Sequence, residues 1–428
     1  MRPGRDTSYG ADRRKRPTYG RAGDGRVKQG RTGILIILAA AGLAAALAAC
    51  SSSGSGAQPA SSAVQPSGTP YVIGTDSTDT SQVFALPEAA DGLVAWANYT
   101  NKHGGILGHP VKIQRCDDQG TPEGNTNCAR QLVADSSVLA VAGSESAQLG
   151  ESGQPLFAAA GLPFVCATPN SPQELQTSSA FCIDGGAVGA YAALVRYLTG
   201  TKSVKVLAGP YIDITAGQET TDYWAGVARA NGATVAEIPV PPTATDYTPT
   251  IVQVQATHSQ AVLVGLAPDQ TARFLQTVAQ MGLQVPIGTP GAALTAPVVQ
   301  AASALAGGLY YTADTLPIAD VTNPTVAAYL GEMKADGYSA EIGDTSANSW
   351  MSGVVLGTAL KQLGKNGVSR SALLNLLEHG SVKDVPVLGT LSLSGAPSGF
   401  PKLANQDVAI ALQHGTTVTY VAEHVPGL

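Results

Sequence analysis

From Tyr71 onward the chain alternates short apolar runs of strand type with stretches whose apolar residues recur at helical spacing. No other feature limits the fold as tightly. Residues 71–74 read as a strand. Pro87 stands where a first helical turn tolerates proline, and Ala89, Leu93, Trp96, Ala97 and Thr100 then share one helical face until Gly104 and Gly105 end it. Val111 and Ile113 alternate with Lys112 and Gln114 in a second strand, residues 128–134 are helical, and residues 138–142 form a buried strand stopped by Gly143. The unit repeats with a helix ending at Gly161 and a strand at 164–167. A second series opens at 204–208, with strands at 261–265 and 309–312 and helices at 271–281 and 349–363. Such alternation predicts an α/β fold of doubly wound parallel sheets with helices on both faces, whose ligands sit at the carboxyl ends of the strands. Residues 71–428 are too many for one domain of ~100 to 200 residues and suit two lobes.

The residues ahead of this body have a different character. Arg13, Arg14, Lys15, Arg16, Arg26, Lys28 and Arg31 precede an apolar run at 34–49, which falls short of a membrane span of ~20 residues and ends in small residues. A secretory signal peptide at 1–49 is the reading, with an uncleaved anchor helix as its rival. Arg13 and Arg14 lie too far ahead of the apolar run for twin-arginine export, and a translation start near Val27 is a further possibility. The run Leu47-Ala48-Ala49-Cys50 resembles the lipobox of a bacterial lipoprotein, which implies that Cys50 is lipidated and becomes the mature N-terminus at the extracytoplasmic face of the cell membrane. The Gly/Ser-rich stretch that follows, to about Thr69, has the composition of a flexible tether.

Composition excludes several classes. The net charge of -6, with basic residues concentrated in the leader, argues against a nucleic-acid partner, which needs a basic patch. Apart from Cys50, the cysteines are Cys116, Cys128, Cys166 and Cys182, an even number in an exported chain, which favours disulfides. Three connectivities are possible. Pairing neighbours, Cys116 with Cys128 and Cys166 with Cys182, is expected because each pair closes a short loop beside a βα connection. A zinc site is the rival, but the spacings are not those of paired ligands and no histidine lies near. No Gly-x-Ser-x-Gly elbow surrounds Ser144, Ser146 or Ser152, and the 6 histidines show no metal-ligand spacing, so neither catalysis, a metal nor a cofactor is expected. Residues 185–189 hint at a phosphate turn, yet they lack a preceding apolar strand and a Walker lysine, and are read as a crossover between lobes.

Residues 95–111 (AWANYTNKHGGILGHPV), followed by Asp117-Asp118, resemble the first helix, Gly-Gly turn and second strand of the leucine/isoleucine/valine-binding family. These are solute receptors of ABC transporters with the type I periplasmic-binding fold. The resemblance continues through residues 128–143, Gly161-Leu162-Pro163-Phe164, Asp246-Tyr247-Thr248, Gly282-Leu283 with Pro286-Ile287-Gly288, and 388–395. It implies two α/β lobes joined by a three-strand hinge, lobe one holding 70–185 plus 308–403 and lobe two 186–307 plus 404–428. It also implies a permease and an ATPase as partners, and a closing motion that the permease recognises. A ligand-sensing receptor of the same fold, acting in signalling, is the alternative.

For the site, a small zwitterion needs donors for its carboxylate, an acceptor for its ammonium and an apolar pocket. Loops after strand ends here are rich in hydroxyls, which can also serve as helix caps. By the resemblance, Ser146, Ala147, Thr168 and Asn170 contact the ligand from lobe one. In lobe two the family's tyrosine is matched by Tyr211, and Thr289 stands where amino-acid binders carry an acid. Either Asp213 or Glu145 then supplies the negative charge, or the ligand is an amide or carboxylate without an ammonium. Phe84 and Tyr211 are candidates to wall the pocket.

Overall fold

The computed structural model describes residues 65–81 and 85–428. The expected signal peptide, Cys50, much of the tether and Phe84 lie outside the described residues.

The first sheet is built from β1 (Tyr71–Ser77), β2 (Val111–Asp117), β3 (Val138–Ala142) and β4 (Phe164–Val165), all parallel, in the order β2-β1-β3-β4. Between them run α1 (Glu88–Lys102), α2 (Pro122–Ala134) and the short α3 (Gln154–Ala159). The start of α2 follows directly from sequence. Pro122 supplies the preset φ of a first helical residue, and the Thr121 hydroxyl accepts from the Gly124 N–H at 3.0 Å.

The second sheet takes β5 (Val206–Ile212), β6 (Thr234–Val240), β7 (Ala261–Leu263), β8 (Ile287–Thr289) and β9 (Leu309–Ala313), parallel neighbours in the order β9-β8-β7-β5-β6. Its helices are α4 (Gly186–Gly200), α5 (Thr215–Ala230), α6 (Thr248–Ala256), α7 (Pro268–Met281) and α8 (Ala296–Ala302). α7 stops at Gly282, which adopts φ 67°, a left-handed turn that glycine makes without steric cost. The chain then adds α9 (Pro324–Ala335), α10 (Asp344–Leu363), α11 (Arg370–His379) and a small hairpin of β10 (Val382–Val385) and β11 (Gly389–Leu391) to the first lobe. β12 (Asp407–His414) and β13 (Thr417–Pro426) close the second sheet as an antiparallel edge, making it seven-stranded.

Inner strands covered on both faces, such as β3 and β7, read as continuous apolar runs, whereas the edge strand β2 carries Lys112, Gln114 and Arg115. Along β1, Ile73 joins the core under α1 and α10, while its neighbour Val72 points the other way, to α2 and α3. Trp96 and Trp350 anchor the first of these cores, and Gly353 on α10 lets α1 approach so closely that a Cβ there would collide with the Trp96 ring. In the second lobe, Trp224 stacks on Tyr191 at 6.0 Å between α4 and α5, and Phe274 and Leu275 of α7 fill the opposite face.

Among the described residues the chain passes between the two large sheets three times: after β4, after β9 and before β12. The second passage comes later than expected. β9 was expected to open the returning part of lobe one at 308, but it lies beside β8, with Leu309 opposite Ile287 and Tyr311 opposite Thr289, and beside β12 on its other edge. All five of its residues are buried by those neighbours, and the crossover follows Ala313.

Both disulfides join the expected neighbours, Cys116–Cys128 and Cys166–Cys182. The second closes the loop carrying Thr168 and Asn170. That loop is also held by backbone pairing, with the Ile183 N–H donating to Cys166 O at 3.1 Å and the Cys182 N–H to Lys402 O at 2.8 Å.

Candidate functional site

The carboxyl ends of the parallel strands in the two lobes face one cleft. Loops after β1, β3 and β4 bring Leu86, Glu145, Ala147 and Asn170 to it. Loops after β5, β7 and β8 bring Ile212 and Ile214, Gly265 to Pro268, and Pro290, Ala292 and Ala293. The first turns of α4 and α5 complete the wall with Ala187, Ala216 and Gly217. Together they bound about 720 Å³ including the open mouth, room for a molecule the size of an amino acid. The lining is mostly aliphatic, and among the described residues no lysine, arginine or histidine contributes to it. The start of α5 supplies the polar element of the second lobe: its first paired amide within the chain is that of Gln218, bonded to Ile214 O at 2.9 Å, which leaves the amides before it for a ligand or water.

Glu145 is the ionisable carboxyl of the lining. Its place is fixed by the strand end behind it. Gly143 turns the chain at φ 61°, the Ser144 hydroxyl accepts from the Asp76 N–H at 3.0 Å, and the Glu145 carbonyl accepts from the Thr78 N–H at 3.0 Å. The carboxyl is buried, and its Oε2 meets no hydrogen-bond partner. Burial pushes its pKa up to about 8; the nearby Glu88 and Glu174 carboxylates add to this, while hydrogen bonds from Asn170 and Thr168 oppose it. Glu174 is raised to about 8 in the same way, although its Oε1 accepts from the Asn170 and Ser171 N–H groups at 2.9 and 3.1 Å.

Of the residues expected from sequence, Ala147 and Asn170 line the cleft. Asn170 also reaches across it, its carbonyl accepting from the Thr220 hydroxyl of α5 at 2.8 Å. Thr168 is buried beside them, its hydroxyl accepting from Asn348 Nδ2 at 3.4 Å. The Ser146 hydroxyl donates to Asp118 Oδ2 and so belongs to a buried network in which Asn125 Nδ2 bridges Asp76 and Asp118. That network ties the loop after β3 to those after β1 and β2 and leaves Ser146 off the lining. In lobe two, Tyr211 lies on β5 with its phenol donating to Gln218 Oε1, and Thr289 is buried with its hydroxyl donating to Val264 O at 3.2 Å. Asp213 is exposed. Ile212 and Ile214 take the wall instead, because alternate residues of an extended segment point to opposite sides and these two share the cleft side.

Sequence reasoning missed Leu86, Tyr191 and the small residues of the α5 start. Tyr191 sits mid-helix with an ordinary core spacing, and only the tertiary fold shows its phenol donating to Val264 O at 2.7 Å at the base of the cleft.

A family model described as periplasmic binding protein matches residues 70–410. No curated protein sequence matches the chain. Solved structures do. A leucine-binding protein from Thermotoga maritima is 14% identical, with 83% of this chain and 99% of that one covered at a TM-score of 0.68. A fatty acid ABC transporter substrate-binding protein from Thermomonospora curvata is 15% identical over 85% and 94% of the two chains, at 0.71. An ABC transporter solute-binding protein from R. palustris, in complex with benzoate, is 15% identical over 84% and 97%, at 0.70. At these identities the likeness is one of fold, the type I periplasmic-binding arrangement of two α/β lobes.

Proposed function

The chain belongs to the periplasmic binding protein family, and from that premise we propose that it is the lipid-anchored solute receptor of an ABC importer, taking a branched-chain amino acid or a related small amide or carboxylate into the cleft between its lobes. The observation that carries this reading is the cleft itself: an aliphatic chamber with one buried carboxyl, built where the carboxyl ends of two parallel sheets face each other. Small-molecule sites of this kind are apolar with a few placed polar groups, and the mix here suits a compact solute with an aliphatic body. The solute-binding relatives include proteins whose ligands are leucine, a fatty acid and benzoate, so the fold leaves the ligand's polar end to be set by the residues of each cleft.

In this reading the solute bridges Asn170 and Glu145 of one lobe to the start of α5 in the other. Closure about the three crossovers then presents a joined surface to a permease, whose ATPase drives uptake. Cys50 carries the lipid that keeps the receptor at the extracytoplasmic face of the membrane, and the Gly/Ser-rich segment gives it reach.

A thermal-shift screen of residues 51–428 against amino acids, amides, short-chain acids, aromatic acids and sugars tests the reading. A solute at about 100 times its dissociation constant stabilises the fold by about 2.7 kcal/mol, a readable shift. A flat response across the panel would turn the reading toward a sensory or partner-binding role.

A further inference from the structure

The electrostatics of the cleft are one-sided. Glu145 is buried at its wall with Oε2 unpaired. The titratable groups acting on it are also acids: Glu88 from α1 and Glu174 from the 172–175 turn, while Asp184 at the first crossover feels the Glu145 charge in return. From the second lobe, the titratable side chain of the lining is Tyr191, whose phenol is hydrogen-bonded and kept neutral by burial. The cations that form ion pairs among the described residues, Lys102, Arg115, Arg229 and Lys402, do so with Asp336, Asp79 and Asp91, Glu237, and Glu378, and none of these residues lines the cleft. Among the described residues, an anion entering here meets the Glu145 carboxyl, backed by Glu88 and Glu174, and no basic side chain. An ammonium meets a carboxyl with an unpaired, buried oxygen at the wall of a mostly aliphatic chamber, where a charge-assisted hydrogen bond is strong.

We propose that Glu145 is the specificity-determining residue of this cleft, accepting the ammonium of an aliphatic amine, so that the solute class is defined by its cation and a carboxylate is not required. The proposal rests on the reading of the cleft as the solute site and narrows its solutes to those that carry an amine, leaving out amides and carboxylates that lack one. Thr168 and Asn170 act through Glu145, since both favour its charged form.

A proton balance follows. Burial keeps Glu145 protonated in the free protein near neutral pH, whereas its ammonium-bound form is a carboxylate, so binding of R–NH₃⁺ expels one proton to solvent. Affinity therefore rises by up to about tenfold per pH unit below the free carboxyl's pKa of about 8, and levels off above it.

The test is titration calorimetry with four probes of matched shape: isoamylamine, leucine, isocaproamide and isocaproate. Each is measured at pH 6, 7 and 8, in buffers of contrasting ionisation enthalpy, on the wild type and on Glu145→Gln. The expected result is isoamylamine binding at least about tenfold more tightly than isocaproate, with close to one proton released per amine bound at pH 6 and 7 and about half a proton at pH 8. Glu145→Gln, still folded by its melting transition, loses about tenfold or more for the amine and its proton release, while Glu145→Asp recovers part of both. Isocaproate or isocaproamide binding the wild type as tightly as the amine would overturn the proposal, as would unchanged amine affinity in folded Glu145→Gln. Binding only of unrelated solutes, such as sugars, would also sink it while leaving the cleft as a solute site. Failure of every solute would remove that underlying reading too.

Discussion

Opening the Cys166–Cys182 disulfide should cost stability without moving the site. The bond closes a loop with a sequence separation of 16, against 12 for Cys116–Cys128. In the chain-entropy model these loops restrain the unfolded chain by about 3 kcal/mol each, and the two values differ by only a few tenths. Burial does not enter that model, although Cys166 and Cys182 are buried and Cys116 is partly exposed. In the native state the Cys166 loop has other ties: the Phe164 strand pairs with Ala180, Cys182 pairs with Leu403, and Glu174 holds the Asn170 and Ser171 amides. Reduction should therefore leave Glu145 and Asn170 in place. The assay is urea unfolding by tryptophan fluorescence in a Cys116→Ala/Cys128→Ala background, oxidised and then reduced, so that no atoms are deleted in the comparison. A Cys166→Ala/Cys182→Ala background measures the other bond. Losses of about 3 kcal/mol in both, with ligand affinity in the folded protein changed less than about threefold, are expected. A loss confined to the buried pair, or a large loss of affinity, would refute the reasoning and show that the bond shapes the native site.

Other outcomes follow from the same structure. Glu145 and Glu174 each have a folded pKa of about 8, raised from 4.5 by burial, so the folded state holds protons that the unfolded state has released; stability should fall as pH rises from about 4.5 to about 8. Melting temperature at pH 5 should exceed that at pH 8, and Glu174→Gln, which keeps an acceptor for the Asn170 and Ser171 amides, should flatten part of that slope. Gly186 starts α4 at φ 51° with Pro169 O packed against it, so Gly186→Ala should destabilise by about 2 kcal/mol or more and weaken binding by displacing the Asn170 loop; chemical denaturation and calorimetry read the two effects. Cys50→Ser should move the protein from the membrane fraction to the soluble one, and retention in the membrane would favour an uncleaved anchor helix.

The parts of the fold legible in the sequence are those whose signal is local. The β1 and β3 runs and the α1 face are set by the spacing of apolar residues, and the neighbour pairing of cysteines follows from short loops. Which sheet a buried strand joins is not local: the β9 sequence fits a buried strand whether it lies beside β8 or returns to lobe one, and only its hydrogen-bond partners decide. The same limit governs the site. Ala147 and Asn170 lie on loops that must end at the cleft in any such fold, whereas the side on which Asp213, Ile212 and Ile214 point depends on the register of one extended segment. Ser146 and Glu145 are neighbours in one polar loop. Nothing in the sequence says that the hydroxyl turns inward to Asp118 while the carboxyl lines the chamber.

The central claim is that a small solute binds between the lobes, and blocking that space tests it most directly. Ile214 lines the cleft from the start of α5, and Ile214→Trp would fill it. Calorimetric titration with the solute giving the largest thermal shift should show saturable one-to-one binding to the wild type and none to Ile214→Trp of matching stability. Equal binding to both would place the solute elsewhere and contradict the account.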